Sequence, residues 1–345
     1  MIDDLFHARW PEADQAMWAA LCAPAGPFDE PGALAHLRES SVSSLAVRYD
    51  RWIRWLRDQD PAALDEPPSR RATLPRLKRW LDALVDNAPM SRLMFIDGLL
   101  RVLTAADPQA DWSRHRRLKA NLKRAAGRGN RARKAGRVLS SRVLLQAGVR
   151  HASEGAAVAS TPLRRATCQR DGALVAFLAM MPIRCRALAG LTLGQSILVT
   201  PERLTVVLHE TLTKTGLPWE AEVPEPAAGL LREYIDETRP FLMTRWQRHH
   251  DILWVGDDGR PFNTHYLGIK IGWITEQLTG TRVPAHLFRD AAATTLARES
   301  PEAARLMRPV LAHTGFETAE RHYNHARSIE AGRDYAAVLR GLKEK

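Results

Sequence analysis

The sequence predicts a mainly α chain with a small antiparallel β-sheet: an N-terminal helical bundle, a basic linker, and an α+β domain. Three observations carry this. Apolar residues recur at helical spacing through the first hundred positions. Between Asp111 and Glu154 no acidic residue occurs among thirteen Lys and Arg. Beyond about residue 160, short β-like runs bounded by turn residues appear among helices. A chain of 345 residues exceeds one ordinary core, so two domains are expected, 1–135 and 160–345, with 136–159 as the linker.

In the first domain, Leu45, Tyr49, Trp52, Ile53 and Leu56 share one helical face, and Arg48, Arg51, Arg54 and Arg57 lie elsewhere. DQDPAALDEPPSRR breaks that helix. Thr73 and Pro75 open the next, whose stripe is Leu77, Trp80, Leu81, Leu84 and Val85. NAPMSRL starts a third, with Leu93, Ile96, Leu99, Leu100 and Leu103. WSRHRRLKANLKRAA is expected as a helix with Trp112, Leu118 and Leu122 inward, and the glycine-interrupted GRGNRARKAG as a strap.

In the second domain, GALVAFLAMMPI reads as an apolar helix ending near Pro182. ILVT, RLTVVLHE and WEAEVP read as strands around Pro201 and the turn TKTG. Helices follow from Ala227, Thr264, Phe288 and Glu302, and a tail helix from about 329 carries Tyr335, Val338, Leu339 and Leu342. Internal repeats and low-complexity segments are absent.

A net charge of +11 and a pI near 10 point to a polyanionic partner, since such a surface releases condensed counterions from a phosphate backbone. Nucleic acid fits best. An acidic membrane is the competitor, but the chain has no run of about 18 apolar residues and no signal-like opening, so a cytoplasmic, nucleoid-associated protein is expected. Three cysteines without CxxC spacing suggest neither a disulfide framework nor a zinc site.

The chemistry concentrates late. Cleaving a phosphodiester takes a nucleophile, cations for the non-bridging oxygens, and an acid for the departing oxygen. Arg184, Lys214, His286, Arg289, His313 and Tyr323 supply these types together. An arginine fork donates to two phosphate oxygens at once and stays charged. His286 and Arg289, three apart after Pro284, project from one side of a first helical turn, where the dipole also favours an anion. His322 and His325 near His313 form a poor zinc pattern, and no metal is expected.

These residues resemble the tyrosine recombinases, or phage-type integrases. HLFR resembles that family's HxLR box, LAHTG its LGH turn, and HYNHA the segment bearing its nucleophile. PIRCRALAGLTLG resembles the box G-L-R-x-x-E-L-x-x-L, with Arg184 at the first catalytic arginine and Leu188 and Leu191 at the leucines. TKTGLPWEAEVP resembles the hairpin turn carrying the catalytic lysine, Lys214, and ILWVGDDGRPFNTHYLG the segment before the HxLR box. The resemblance covers about residues 160–327.

It implies a DNA-breaking and rejoining enzyme. Tyr323 attacks the scissile phosphate to give a 3′-phosphotyrosine. Arg184 and Arg289 hold the non-bridging oxygens, and Lys214 protonates the leaving 5′-oxygen. His286 assists proton transfer at the tyrosine, and His313 adds a hydrogen bond to the phosphate. No metal, ATP or other cofactor is implied. Ala187 stands where the family usually has an acidic residue, leaving Arg186 as a second candidate for the role of Arg184, and Ala312 replaces the LGH glycine.

The partners expected are double-stranded DNA with a specific recombination site, further copies of the chain on that DNA linked through the tail helix, and accessory proteins. Arg116, Arg117, Lys119, Lys123, Arg124, Arg131, Arg133 and Lys134 are the candidate phosphate contacts. A type IB-like topoisomerase and a non-catalytic DNA-binding regulator are the alternatives.

Overall fold

The computed structural model describes residues 9–28, 30–127, 136–213 and 216–299. The chain divides into two units, Met1–Arg131 and Ala132–Lys345. The described part is mainly helical with one three-stranded antiparallel sheet. No helix among the described residues is long and apolar enough to cross a membrane.

The first unit contains α1 (Glu12–Cys22), α2 (Glu39–Gln59), α3 (Pro68–Arg71), α4 (Leu74–Ala83), α5 (Pro89–Ala106) and α6 (Ser113–Ala126). The predicted stripe of α2 is its buried face: Tyr49, Trp52, Ile53 and Leu56 are fully covered. Thr73 caps α4 by accepting from the Arg76 amide, and Pro75 occupies its first turn. Trp52 packs on Trp80 at 5.0 Å, joining α2 to α4. A fully buried ion pair, Asp14 with Arg71, lies inside this apolar core. Asp14, fully buried, accepts from Tyr49 Oη at 2.5 Å and from Arg71 Nη1 at 2.6 Å. Arg71 also donates to the carbonyls of Leu64 and Glu66, so its fork is shared among three acceptors.

The second unit opens with α7 (Ser141–Arg150), capped by Ser140, and runs through a π turn, His151–Gly155, towards α8 (Pro162–Met180). The stretch 136–159, expected as a basic linker, thus contains a packed helix. Leu144 and Ala147 are buried, and Gly148 lies directly against α8. A Cβ on Gly172 of α8 would come within 2.5 Å of both the Ala152 nitrogen and the Gly148 oxygen, so the two backbones touch only because both residues are glycine.

After α8 come α9 (Cys185–Ala189), β1 (Ile197–Val199), β2 (Leu204–Leu208), β3 (Trp219–Glu222), α10 (Ala227–Glu233), α11 (Arg239–Thr244), α12 (Thr264–Thr279) and α13 (Ala285–Glu299). The sheet order is β1-β2-β3, with Ile197 opposite Val206 and Leu208 opposite Trp219. Leu204, Val206 and Leu208 alternate inward on the central strand. The core gathers Leu174, Phe177 and Leu178 of α8 with Tyr234, Trp254 and Phe288. Arg170 is fully buried on α8, where Asp171 at 2.8 Å and Asp257 at 2.6 Å neutralise it.

Candidate functional site

Of the six candidate catalytic residues, Arg184, His286 and Arg289 are described. Lys214, in the connection between β2 and β3, and His313 and Tyr323 lie outside the described residues, as do Arg131, Arg133, Lys134 and the tail from 329.

Arg184 sits where α8 has ended and α9 has not begun. Met181, Ile183, Leu188 and Leu191 are all buried, so the short segment is pinned on both sides of the arginine. Its backbone is extended, with φ −71° and ψ 146°, in the cap position before Cys185. The neighbouring Cys185 Sγ donates to the Thr264 carbonyl at 3.4 Å, tying α9 to the start of α12. Ala187, at the place of the expected acidic residue, is 2% exposed and filled by apolar packing. Arg184 itself is half-buried; its carbonyl accepts from the Leu188 amide at 2.9 Å, and no hydrogen bond or ion pair to its guanidinium occurs among the described residues. Arg186 is exposed.

Arg289 arrives from α13, whose entry is set by Thr275. That hydroxyl accepts from the Val283 amide at 2.9 Å and lies 3.1 Å from the Val283 carbonyl, holding the chain as it leaves α12. Leu287 and Phe288 are buried, which leaves His286 exposed and Arg289 half-buried on the remaining face of the first turns. This is the i and i+3 placement expected from the sequence. Arg289 Nη1 donates to the Pro182 carbonyl at 2.7 Å. Burial first, and then the charge of Arg184, lower the Arg289 pKa to about 10, with Asp290 acting the other way. Burial also lowers that of Arg184. Arg289 thus reaches, through the Pro182 carbonyl, the segment that carries Arg184, and the positive field of Arg184 acts on it, an arrangement that an oxyanion relieves.

Pro182 carries no mark of a site residue in the sequence. Its role is played by a backbone carbonyl, which leaves no side-chain signal. Its position two residues before Arg184 ties the two arginines to one short loop.

In the first unit, α6 presents the other candidate surface. Trp112 is buried and donates to the Asp107 carbonyl at 2.8 Å, while Leu118 and Leu122 pack on the core. Arg116, Arg117, Lys123 and Arg124 are exposed on the remaining surface. Lys119 is half-buried and paired with Asp97 at 3.2 Å.

No family model matches the chain, and no curated protein does. Among solved structures, it is similar to a XerA recombinase at 15% identity, covering 87% of this chain and 94% of that one, with a TM-score of 0.41. It is also similar to a lambda integrase dimer bound to a COC′ core site, at 13% identity, covering 84% of this chain and 90% of that one, with a TM-score of 0.49.

Proposed function

We propose that this protein is a site-specific DNA recombinase that cuts and rejoins strands through a covalent tyrosine intermediate. The observation that supports this most is the bond from Arg289 Nη1 to the Pro182 carbonyl, two residues before Arg184, which brings both arginines to one short loop. Two half-buried forks, one with no partner among the described residues, form a receptor for a tetrahedral oxyanion whose charge grows during displacement at phosphorus.

In this reading the Tyr323 phenol attacks the scissile phosphorus. The new bond is phenolic oxygen to phosphorus, and the bond to the 5′-oxygen breaks. Lys214 protonates that departing oxygen, His286 takes up the phenolic proton, and His313 hydrogen-bonds the phosphate. Attack by a 5′-hydroxyl on the phosphotyrosine reverses these steps and releases the phenol. The phosphodiester energy is kept in the covalent link, so the scheme calls for no nucleotide hydrolysis. The exposed cations of α6 hold the DNA backbone, and the tail from 329 joins copies of the chain on a shared recombination site.

The test uses the repeats flanking the gene as the DNA site, prepared with a nick that traps the intermediate. Wild type should form a covalent protein–DNA adduct and Tyr323→Phe none. Strand exchange between two such sites identifies a recombinase, whereas relaxation of supercoils alone identifies a topoisomerase. Absence of any adduct with wild type removes the proposal and leaves a DNA-binding regulator.

A further inference from the structure

A groove of about 460 Å³ opens in the second unit between the first turns of α8 and the second half of α12, with Arg164, Lys270, Trp273, Glu276 and Gln277 on its walls. It shares no residue with the Arg184 and Arg289 site, and its volume is in the range of small-ligand pockets. Its contents are unusual for a solvent-facing helix pair. Trp273 is 49% exposed in the middle of α12, although a large flat apolar surface is normally covered. Arg164 is exposed, and no ion pair to its guanidinium occurs among the described residues. Lys270 is fixed by Asp171 Oδ2 at 3.1 Å, with its side chain only 20% exposed.

We infer that this groove binds a nucleotide, with the base stacked on Trp273 and the phosphate held by Arg164. An indole face is a stacking platform for any base. A guanidinium is a bidentate phosphate donor. Lys270 adds positive potential, but its ammonium is already shared with Asp171. Glu276 and Gln277 supply an acceptor and an amide for the polar edge of a base. A simple inorganic anion would leave the indole unused, and a purely apolar ligand would leave the cation unused. The ligand is either a free nucleotide or the terminal nucleotide of a strand, and the test separates these sources.

The probe is a fluorescent methylanthraniloyl-GMP, followed by anisotropy as the full-length protein is titrated. Saturable binding is expected. Trp273→Ala and Arg164→Ala should each weaken it at least tenfold, and Trp273→Phe less than Trp273→Ala. Displacement by unlabelled GMP assigns a free nucleotide. Displacement only by a short 5′-phosphorylated single strand assigns a strand end. Folding of each variant is checked by circular dichroism, and Trp273→Phe guards against loss of packing. No saturable binding of the probe and none of the strand, or binding unaltered in both Trp273→Ala and Arg164→Ala, overturns the inference.

Discussion

Arg289 is hydrogen-bonded through Nη1 to the Pro182 carbonyl at 2.7 Å, and burial first and then the field of Arg184 lower its proton affinity. Such a pair is held together by the fold against its own repulsion. Inorganic phosphate should therefore stabilise the protein. At ten times its dissociation constant, one site contributes about 1.4 kcal/mol, or roughly 3–6 °C in the midpoint for a unit of this size. Arg184→Gln should lose at least half of that rise and, without phosphate, unfold no earlier than wild type. Differential scanning calorimetry with and without phosphate reads both.

Neutralising the exposed cations of α6 should weaken binding to all DNA sequences alike. Changing Arg116, Arg117, Lys123 and Arg124 to Gln should reduce the slope of log affinity against log salt by about 0.9 for each phosphate no longer neutralised. Lys119→Gln should change it less, because Asp97 already holds that ammonium. Filter binding at several salt concentrations is sufficient, and an unchanged slope would assign the phosphate-binding role to another surface.

Two helical glycines should respond to alanine in opposite directions. In Gly172→Ala the new carbon meets backbone atoms at 2.5 Å, and overpacking of this kind costs roughly 1–3 kcal/mol. At Gly268 the nearest atom is Cys185 Sγ at 3.6 Å, an ordinary separation, so alanine should add up to about 1 kcal/mol from helix propensity. Urea unfolding of the two variants gives the comparison.

Arg76 binds Asp60 at 3.0 Å and Glu66 at 2.6 Å. Its hydrogen bonds hold both carboxyls below their ordinary values. A depressed carboxyl contributes stability above its unfolded pKa and loses it as the pH falls through the folded one. Arg76→Ala should therefore melt below wild type at pH 7, and the gap should close as the pH falls through about 4 and below. A gap that is constant from neutral pH down through the carboxylate range would mean that Arg76 acts by packing alone.

Much of the fold was legible because its signals are periodic. The α2 stripe, the Thr73 cap and the alternation in RLTVVLHE are local patterns, and all appear where the sequence places them. The first half of α8 was less legible. Arg170 and Asp171 carry no local signal of burial, and they are buried because Asp257, far along the chain, completes their neutralisation. Helix α7 was hidden for a related reason: it meets α8 through glycine, which adds no apolar signal. In the candidate site, the shared helical turn of His286 and Arg289 was legible through their spacing. The place of Arg184 depends on Pro182 and on a core that no local window contains.

The Asp14 carboxylate makes burial of α1 depend on a distant part of the chain. Its cation, Arg71, is 57 residues further along the chain, so while the polypeptide emerges α1 carries a charge it has no means to bury. Burying that carboxylate with its charge matched needs α3 as well as α1. A split point placed between Asp14 and Arg71 would leave that charge on a fragment without its partner, so fragments of this protein meant for separate expression belong with both halves of the pair on the same piece.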